Sequence, residues 1–325
     1  MRRLKPRVKR RILTLMKRKL RRPRFQLFPL YDQGFNVGFN QGYDKGHREG
    51  FQHGKYEGEG LNPWREGSEG VVTSMLPPSI VLPATVEHII AAGIEQLRPH
   101  WAPIHSVEET GNRIIHALET RTPLSLVRIG DGELLTLAQG CVLSFEQVKT
   151  EGPFLEYAGV IVPDLQARDQ LALSIKQATI VGIPSERTRN FQLLAFSVFP
   201  AHGIDFQHLW LTSSLINYQL NETKMLTSIL AGHRVLVVGN LAEPLSEILR
   251  QHGVHIVDFI APVNGITDVP RIMDEVSMRD FDITLVSAGI AAVILCQRIA
   301  VELGKVAIDF GHLANTLVKG ESPFP

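Results

Sequence analysis

The 325-residue sequence has only two cysteines, Cys141 and Cys296, far apart and without CxxC spacing. A disulfide framework and a cysteine-rich zinc site are thereby excluded, and a reducing, cytoplasmic setting fits. No run of 18 charge-free apolar residues occurs. The nearest approach, Ile283–Cys296, contains Gly289 and reads as a strand, a turn and the start of a buried helix. A secretory signal is missing too, because the apolar stretch Ile12–Met16 is far too short and Lys17 follows it. An organelle transit peptide would share the Arg-rich, acid-free start but not its want of serine. No GxxxxGK[ST], GxSxG or HExxH is present, and no GxGxxG follows a strand-like run. A P-loop NTPase, an α/β-hydrolase and a zincin are excluded, and a dinucleotide dehydrogenase or Rossmann methyltransferase is disfavoured.

Acidic residues are absent from the first 24 positions, which hold thirteen Lys or Arg. The formal net charge of +1 hides this: of 34 basic and 33 acidic residues, 21 and 33 fall after position 24, so the remainder carries −12. Residues 1–24 are a basic tail on an acidic body. Such a charge block is either a solvated arm or an electrostatic dock for an anionic surface. Leu13, Leu15, Met16 and Leu20 give it a short apolar stripe, which suits an anionic membrane surface. No aromatic precedes Phe25, so no specific nucleic-acid partner is expected.

Residues 25–60 contain a repeat. Glycines fall at 34, 38, 42, 46, 50, 54 and 58, with Phe35, Phe39, Tyr43, Phe51 and Tyr56 beside them. The polar residues between exclude a membrane-spanning GxxxG helix. On a helix, a four-residue step advances the stripe by about 40° per repeat, and each helical Gly costs about 1 kcal/mol relative to Ala. The segment therefore reads as a spacer, or as a helix formed through self-association of residues 34–58. Residues 61–85, with Pro63, Pro77, Pro78 and Pro83, read as a linker.

Residues 86–325 read as the folded body. Short β-branched runs, at Leu124–Ile129, Thr179–Ile183, Leu209–Leu211, Arg234–Val238, His255–Phe259, Ile283–Val286 and Val306–Ile308, alternate with longer helical segments. This predicts an α/β fold with a Rossmann-like doubly wound, mostly parallel sheet, preceded by a non-globular N-terminal segment. Ligands of such sheets bind beyond the carboxyl ends of the strands. Those ends read Arg128-Ile129-Gly130-Asp131-Gly132-Glu133, Pro184-Ser185-Glu186-Arg187, Thr212-Ser213-Ser214, Gly239-Asn240, Ser287-Ala288-Gly289 and Asp309-Phe310-Gly311-His312. In extended geometry, Asp131 and Glu133 would point the same way and share one Mg²⁺ or Mn²⁺. Asp131 as a simple N-cap is the competing reading. Arg128 would pair with a phosphate or hold one of the carboxylates, and Gly130 and Gly132 would allow a ligand to approach closely. His312 is placed for a general base or for a hydrogen-bonded structural role.

The segment LSLVRIGDGELL at Leu124–Leu135 resembles the GT-D glycosyltransferases. The similarity continues through VGIP at Val181–Pro184, RVLVVG at Arg234–Gly239, Ser287–Gly289 and VAIDFGHL at Val306–Leu313. The resemblance implies a Rossmann-like domain that transfers a hexose from a UDP-sugar to a glycan or glycoprotein acceptor. It also implies that the DxE carboxylates, Asp131 and Glu133, hold Mn²⁺ or Mg²⁺ on the diphosphate, with Gly239, Asn240, Ser287 and Gly289 beside the donor. If the reaction inverts the anomeric centre, His312 would take the acceptor proton. The basic tail and Gly repeat resemble the N-termini of GT-D proteins from spore-forming Gram-positive bacteria, which implies a cytoplasmic chain, peripheral at the inner membrane face. Two stretches depart from the family pattern by lacking an arginine, Asn240–Pro244 and Leu215–Tyr218. They support the alternative of a non-catalytic nucleotide-sugar-binding or scaffold protein.

Overall fold

The computed structural model describes residues 67–185 and 191–325. The basic tail, the Gly repeat and the Glu186-Arg187 pair lie outside the described residues. The chain divides into two units with the boundary between Pro99 and His100. In the first, helix α1 (Ser68–Met75) stands inside the segment read as a linker, and helix α2 (Val86–Gln96) starts on a Thr85 cap that accepts the His88 N–H at 3.3 Å.

The second unit begins its regular structure with helix α3 (Val107–Thr120). Its start is fixed by a reciprocal cap: Ser106 Oγ accepts the Glu109 N–H at 3.1 Å, and Glu109 Oε2 accepts the Ser106 N–H at 2.8 Å. Strand β1 (Leu124–Arg128) follows, then helices α4 (Asp131–Ala138), α5 (Phe145–Glu151) and α6 (Leu165–Gln177). Strand β2 (Ile180–Ile183), helix α7 (Phe191–Ala201), strand β3 (Leu211–Ser213) and helices α8 (Ile216–Glu222) and α9 (Met225–Leu230) come next. Lys224 takes a left-handed φ of 62° and separates α8 from α9. The rest alternates: β4 (Val235–Gly239), α10 (Ala242–Gln251), β5 (Ile256–Ile260), α11 (Val269–Ser277), β6 (Ile283–Ser287), α12 (Ala291–Leu303), β7 (Val306–Asp309) and α13 (Leu313–Val318).

The seven strands form one sheet in the order β3-β2-β1-β7-β6-β4-β5, every pairing parallel. Most strand residues are buried, as expected of strands covered on both faces. One apolar cluster packs α4, α5, α6, α7, α11 and α12 on one face. A second packs α3, α8, α9, α10 and α13 on the other. The crossovers fix where the site lies. β7 is the central strand, and its chain leaves to α13 on the second face, whereas its neighbours β1 and β6 leave to α4 and α12 on the first. Divergence of adjacent connections opens a crevice at the carboxyl edge of an α/β sheet, and here it opens above β7. Among the described residues no helix is long and apolar enough to cross a membrane.

Candidate active site

The candidate site residues Arg128 to Glu133, His312, Ser287 to Gly289, and Gly239 with Asn240 follow β1, β7, β6 and β4, four consecutive strands, while the ends at Pro184 and Ser214 follow the neighbouring β2 and β3. Because the strands are parallel, all these ends share one edge. Gly239 pairs with Ser287 in register. A Cβ on Gly239 would lie 2.2 Å from the Ser287 carbonyl oxygen, and φ there is 144°, so only glycine lets β4 and β6 run together to this point. Asn240 Oδ1 accepts the Val263 N–H at 2.8 Å, which ties the β4 end to the loop after β5. The Ser287 hydroxyl is buried and has no hydrogen-bond partner, a state that native structures rarely leave without a ligand or water. Gly289 is exposed at the start of the α12 connection, with φ 55°.

Asp131 and Glu133 are not extended. Gly130 is the last extended residue, and the chain turns at once into α4, placing the two carboxylates at the first and third helical positions. The reason is local. Glu133 Oε2 reaches back to the Gly130 N–H at 2.8 Å, which is the acidic half of a capping box; Gly130 has no side chain to complete the other half. The expectation that alternation along a strand aligns the carboxylates is therefore corrected: they share the first turn of a helix. Asp131 is exposed and its Oδ1 accepts the Gly132 N–H at 2.9 Å. Glu133 is half-buried. Burial, and then the neighbouring Asp309 carboxylate, push its carboxyl up to about 7 against the pull of the Gly130 N–H.

Arg128 is committed elsewhere. Its Nη2 donates to Asp309 Oδ1 at 3.0 Å and its Nε to the Asp309 carbonyl at 3.0 Å. Nη1 donates to the Ser214 carbonyl at 3.1 Å and to Asn217 Oδ1 at 3.3 Å. The Arg128 backbone N–H also donates to Asp309 Oδ2 at 3.2 Å, and Asn217 Nδ2 donates to the Phe310 carbonyl at 2.8 Å. The guanidinium thus spends its donors on protein acceptors, and the carboxylate it holds is that of Asp309, not of Asp131 or Glu133. Sequence reasoning placed Asp309 at a strand end but gave it no role, and gave none to Asn217. No motif announces a pair 181 residues apart; only the β1–β7 pairing brings it together. A Cβ on Gly311 would sit 1.7 Å from Arg128 Nη2, so this glycine is the floor under the guanidinium. Next to it, His312 is exposed at the head of α13.

Among the described residues no group of three or more His, Cys, Asp or Glu side chains is placed to hold a metal ion. Two carboxylates beside a polar crevice are instead the protein half of the usual Mg²⁺ arrangement, in which substrate phosphates and water supply the other oxygens. Asp131 and Glu133 are hard oxygen donors of the kind such a cation takes.

A family model described as a GT-D fold-like domain matches residues 105–317, more than half of the chain. The chain belongs to the GT-D-like family. Solved structures similar to the GT-D-like chain include "A New Glycosyltransferase (DUF1792) from Streptococcus sanguinis", 15% identical over 68% of this chain and 86% of that one, with a TM-score of 0.45. Another is described as the domain of unknown function 1792 with a distinct glycosyltransferase fold, 16% identical over 68% and 83%, TM-score 0.45. A selenomethionine-substituted structure of the domain of unknown function 1792 is 16% identical over the same shares, TM-score 0.44. No curated protein matches the chain significantly.

Proposed function

We propose that this GT-D-like protein is a metal-dependent glycosyltransferase that moves a hexose from a UDP-sugar to a glycan or cell-surface acceptor. The observation that carries the reading is the position of Asp131 and Glu133: both stand on the first turn of α4, at the carboxyl edge of β1, against the crevice above β7. In this reading the two carboxylates hold Mn²⁺ or Mg²⁺, which when bound offsets the negative charge that develops on departing UDP. The Gly130 and Gly132 amides at the head of α4 are taken up by Glu133 and Asp131 themselves, so the cation rather than these amides would meet the diphosphate. The buried hydroxyl of Ser287 finds in the donor the partner it lacks within the protein, and Gly239, Asn240 and Gly289 line the approach. His312, exposed at the end of β7, takes the acceptor proton if the anomeric centre inverts and orients the acceptor if it is retained. The basic residues 1–24 dock the chain on an anionic membrane surface, at the inner face of the cytoplasmic membrane, and residues 34–58 supply self-association.

Calorimetry of UDP binding with and without Mn²⁺ tests the reading. Binding that requires the metal, and that Asp131→Asn lowers at least tenfold while thermal unfolding is unchanged, is the expected result. UDP binding that ignores both the metal and the substitution would remove the metal role. The alternative is a non-catalytic nucleotide-sugar-binding or scaffold protein. Arg128 favours it, because the one arginine of the RIGDGE turn is held by Asp309, Ser214 and Asn217, and residues 240–244 offer no cation in its place. Metal-dependent binding without any hydrolysis of UDP-hexoses would select that alternative.

A further inference from the structure

Between α5 and α6 the chain makes a turn whose residues press on the crevice. Leu155 and Val160 are fully buried and anchor it. The Ala158 N–H donates to the Phe154 carbonyl at 3.0 Å, the Gly159 N–H to the Glu156 carbonyl at 3.1 Å and the Val160 N–H to the Leu155 carbonyl at 2.9 Å. The backbone is also clamped from outside, since a Cβ on Gly159 would lie 2.6 Å from the Gly265 Cα. The turn touches two glycines of the candidate site. The Phe154 ring lies 3.6 Å from where a Cβ on Gly132 would stand, and the Ala158 carbonyl lies 3.4 Å from the same point on Gly289.

Tyr157 sits between these two contacts and is 95% exposed. The i to i+4 bond closing Phe154 to Ala158 makes this a helical turn, on which residues three apart share a side. Phe154 points at the head of α4, so Tyr157 stands on the side of the crevice. A ring left in water on a backbone this firmly held contributes nothing to folding, yet it is already positioned for a flat ligand, and the loss of order on binding is small.

We propose that Tyr157 is the stacking platform for the nucleobase of the donor. The assignment deepens the nucleotide-sugar reading and rests on it. It supplies what that site otherwise lacks: the carboxylates and the glycine-lined strand ends suit a diphosphate and its cation, and none of them offers a π face. Base–aromatic stacking is tolerant of sequence and strong enough to set affinity.

The test uses the full chain with Mn²⁺ and two probes, UDP and inorganic pyrophosphate, titrated by calorimetry. Tyr157→Ala is expected to weaken UDP by about 5-fold to 150-fold and to leave pyrophosphate unchanged, while Tyr157→Phe keeps wild-type affinity for both. Because the side chain is exposed, neither substitution moves the unfolding midpoint, so a loss of binding is not a loss of fold. Wild-type UDP affinity in Tyr157→Ala overturns the proposal, as does an equal loss for UDP and pyrophosphate. A wild-type chain that binds neither probe sinks the nucleotide-sugar reading and takes this assignment with it, an outcome visible before any variant is made.

Discussion

Glu133 carries two demands at once. Its carboxylate closes the head of α4 through the Gly130 N–H, and its surroundings resist the charge it needs to do so. Burial and Asp309 hold its carboxyl near 7 in the folded protein, whereas an unfolded chain would ionise it near its ordinary value of 4.5. Between those two pH values the folded state binds more protons than the unfolded state, so this residue lowers stability as pH rises from about 4.5 through about 7. The loss is at most about 3 kcal/mol by the usual conversion of pKa differences, and less to the extent that solvent screens this half-buried carboxylate. Urea denaturation of wild type and Glu133→Gln at pH 5 and pH 8 should show a drop for wild type that the variant lacks. An equal drop in both would locate the pH dependence elsewhere. In the proposed enzyme a divalent cation on Asp131 and Glu133 favours the ionised carboxylate, so metal binding should strengthen with pH over the same range. At this scale the sequence was legible only in part. The spacing of Asp131 and Glu133 was visible, but whether they were extended was decided by Glu133 acting as a helix-start residue, a signature that competes with the two-residue alternation of a strand.

At the scale of elements, all seven strands lie within two residues of where β-branched runs placed them, because a strand buried on both faces must be continuously apolar. Helices were less legible. The starts of α3 and α5 do carry a local signal, Ser106-x-x-Glu109 and Ser144-x-x-Gln147, which form reciprocal caps. α3 also carries an apolar stripe, with Ile114, Ala117 and Leu118 buried on one face, whereas α5 buries only Val148. α13 has only six residues, too few to show a period. The joint between β1 and β7 was invisible for a different reason, since long-range partners leave no local pattern. Its energetic role can be measured. Arg128 and Asp309 form a nearly buried pair, with side chains 16% and 5% exposed, and removing one partner strands the other's charge. Asp309→Ala and Arg128→Ala should each cost about 3–5 kcal/mol, read as a shift in the urea midpoint. The double variant should cost much less than the two losses added together. Additive losses would show that the pair is not coupled.

On the scale of the whole molecule, two kinds of sequence are joined. All seven strands and both apolar clusters belong to His100–Pro325, so the information that specifies the sheet is contained there. The thirteen basic residues of positions 1–24 add charge without acids to balance it, on a chain whose remainder is negative. Near an anionic bilayer each such residue is worth about 1 kcal/mol, falling off within a Debye length, which is ample for docking even if only half of them reach the surface. Two chains separate the roles. Residues 100–325 alone should unfold in one cooperative transition, by circular dichroism, because nothing in either core is removed. The full chain should sediment with vesicles containing phosphatidylserine at low salt and should detach as salt rises, whereas a chain lacking residues 1–24 should stay in the supernatant with its UDP affinity intact. Equal sedimentation of the two would assign the membrane contact to another part of the molecule. Loss of UDP binding on truncation would mean that the tail serves the crevice rather than the surface.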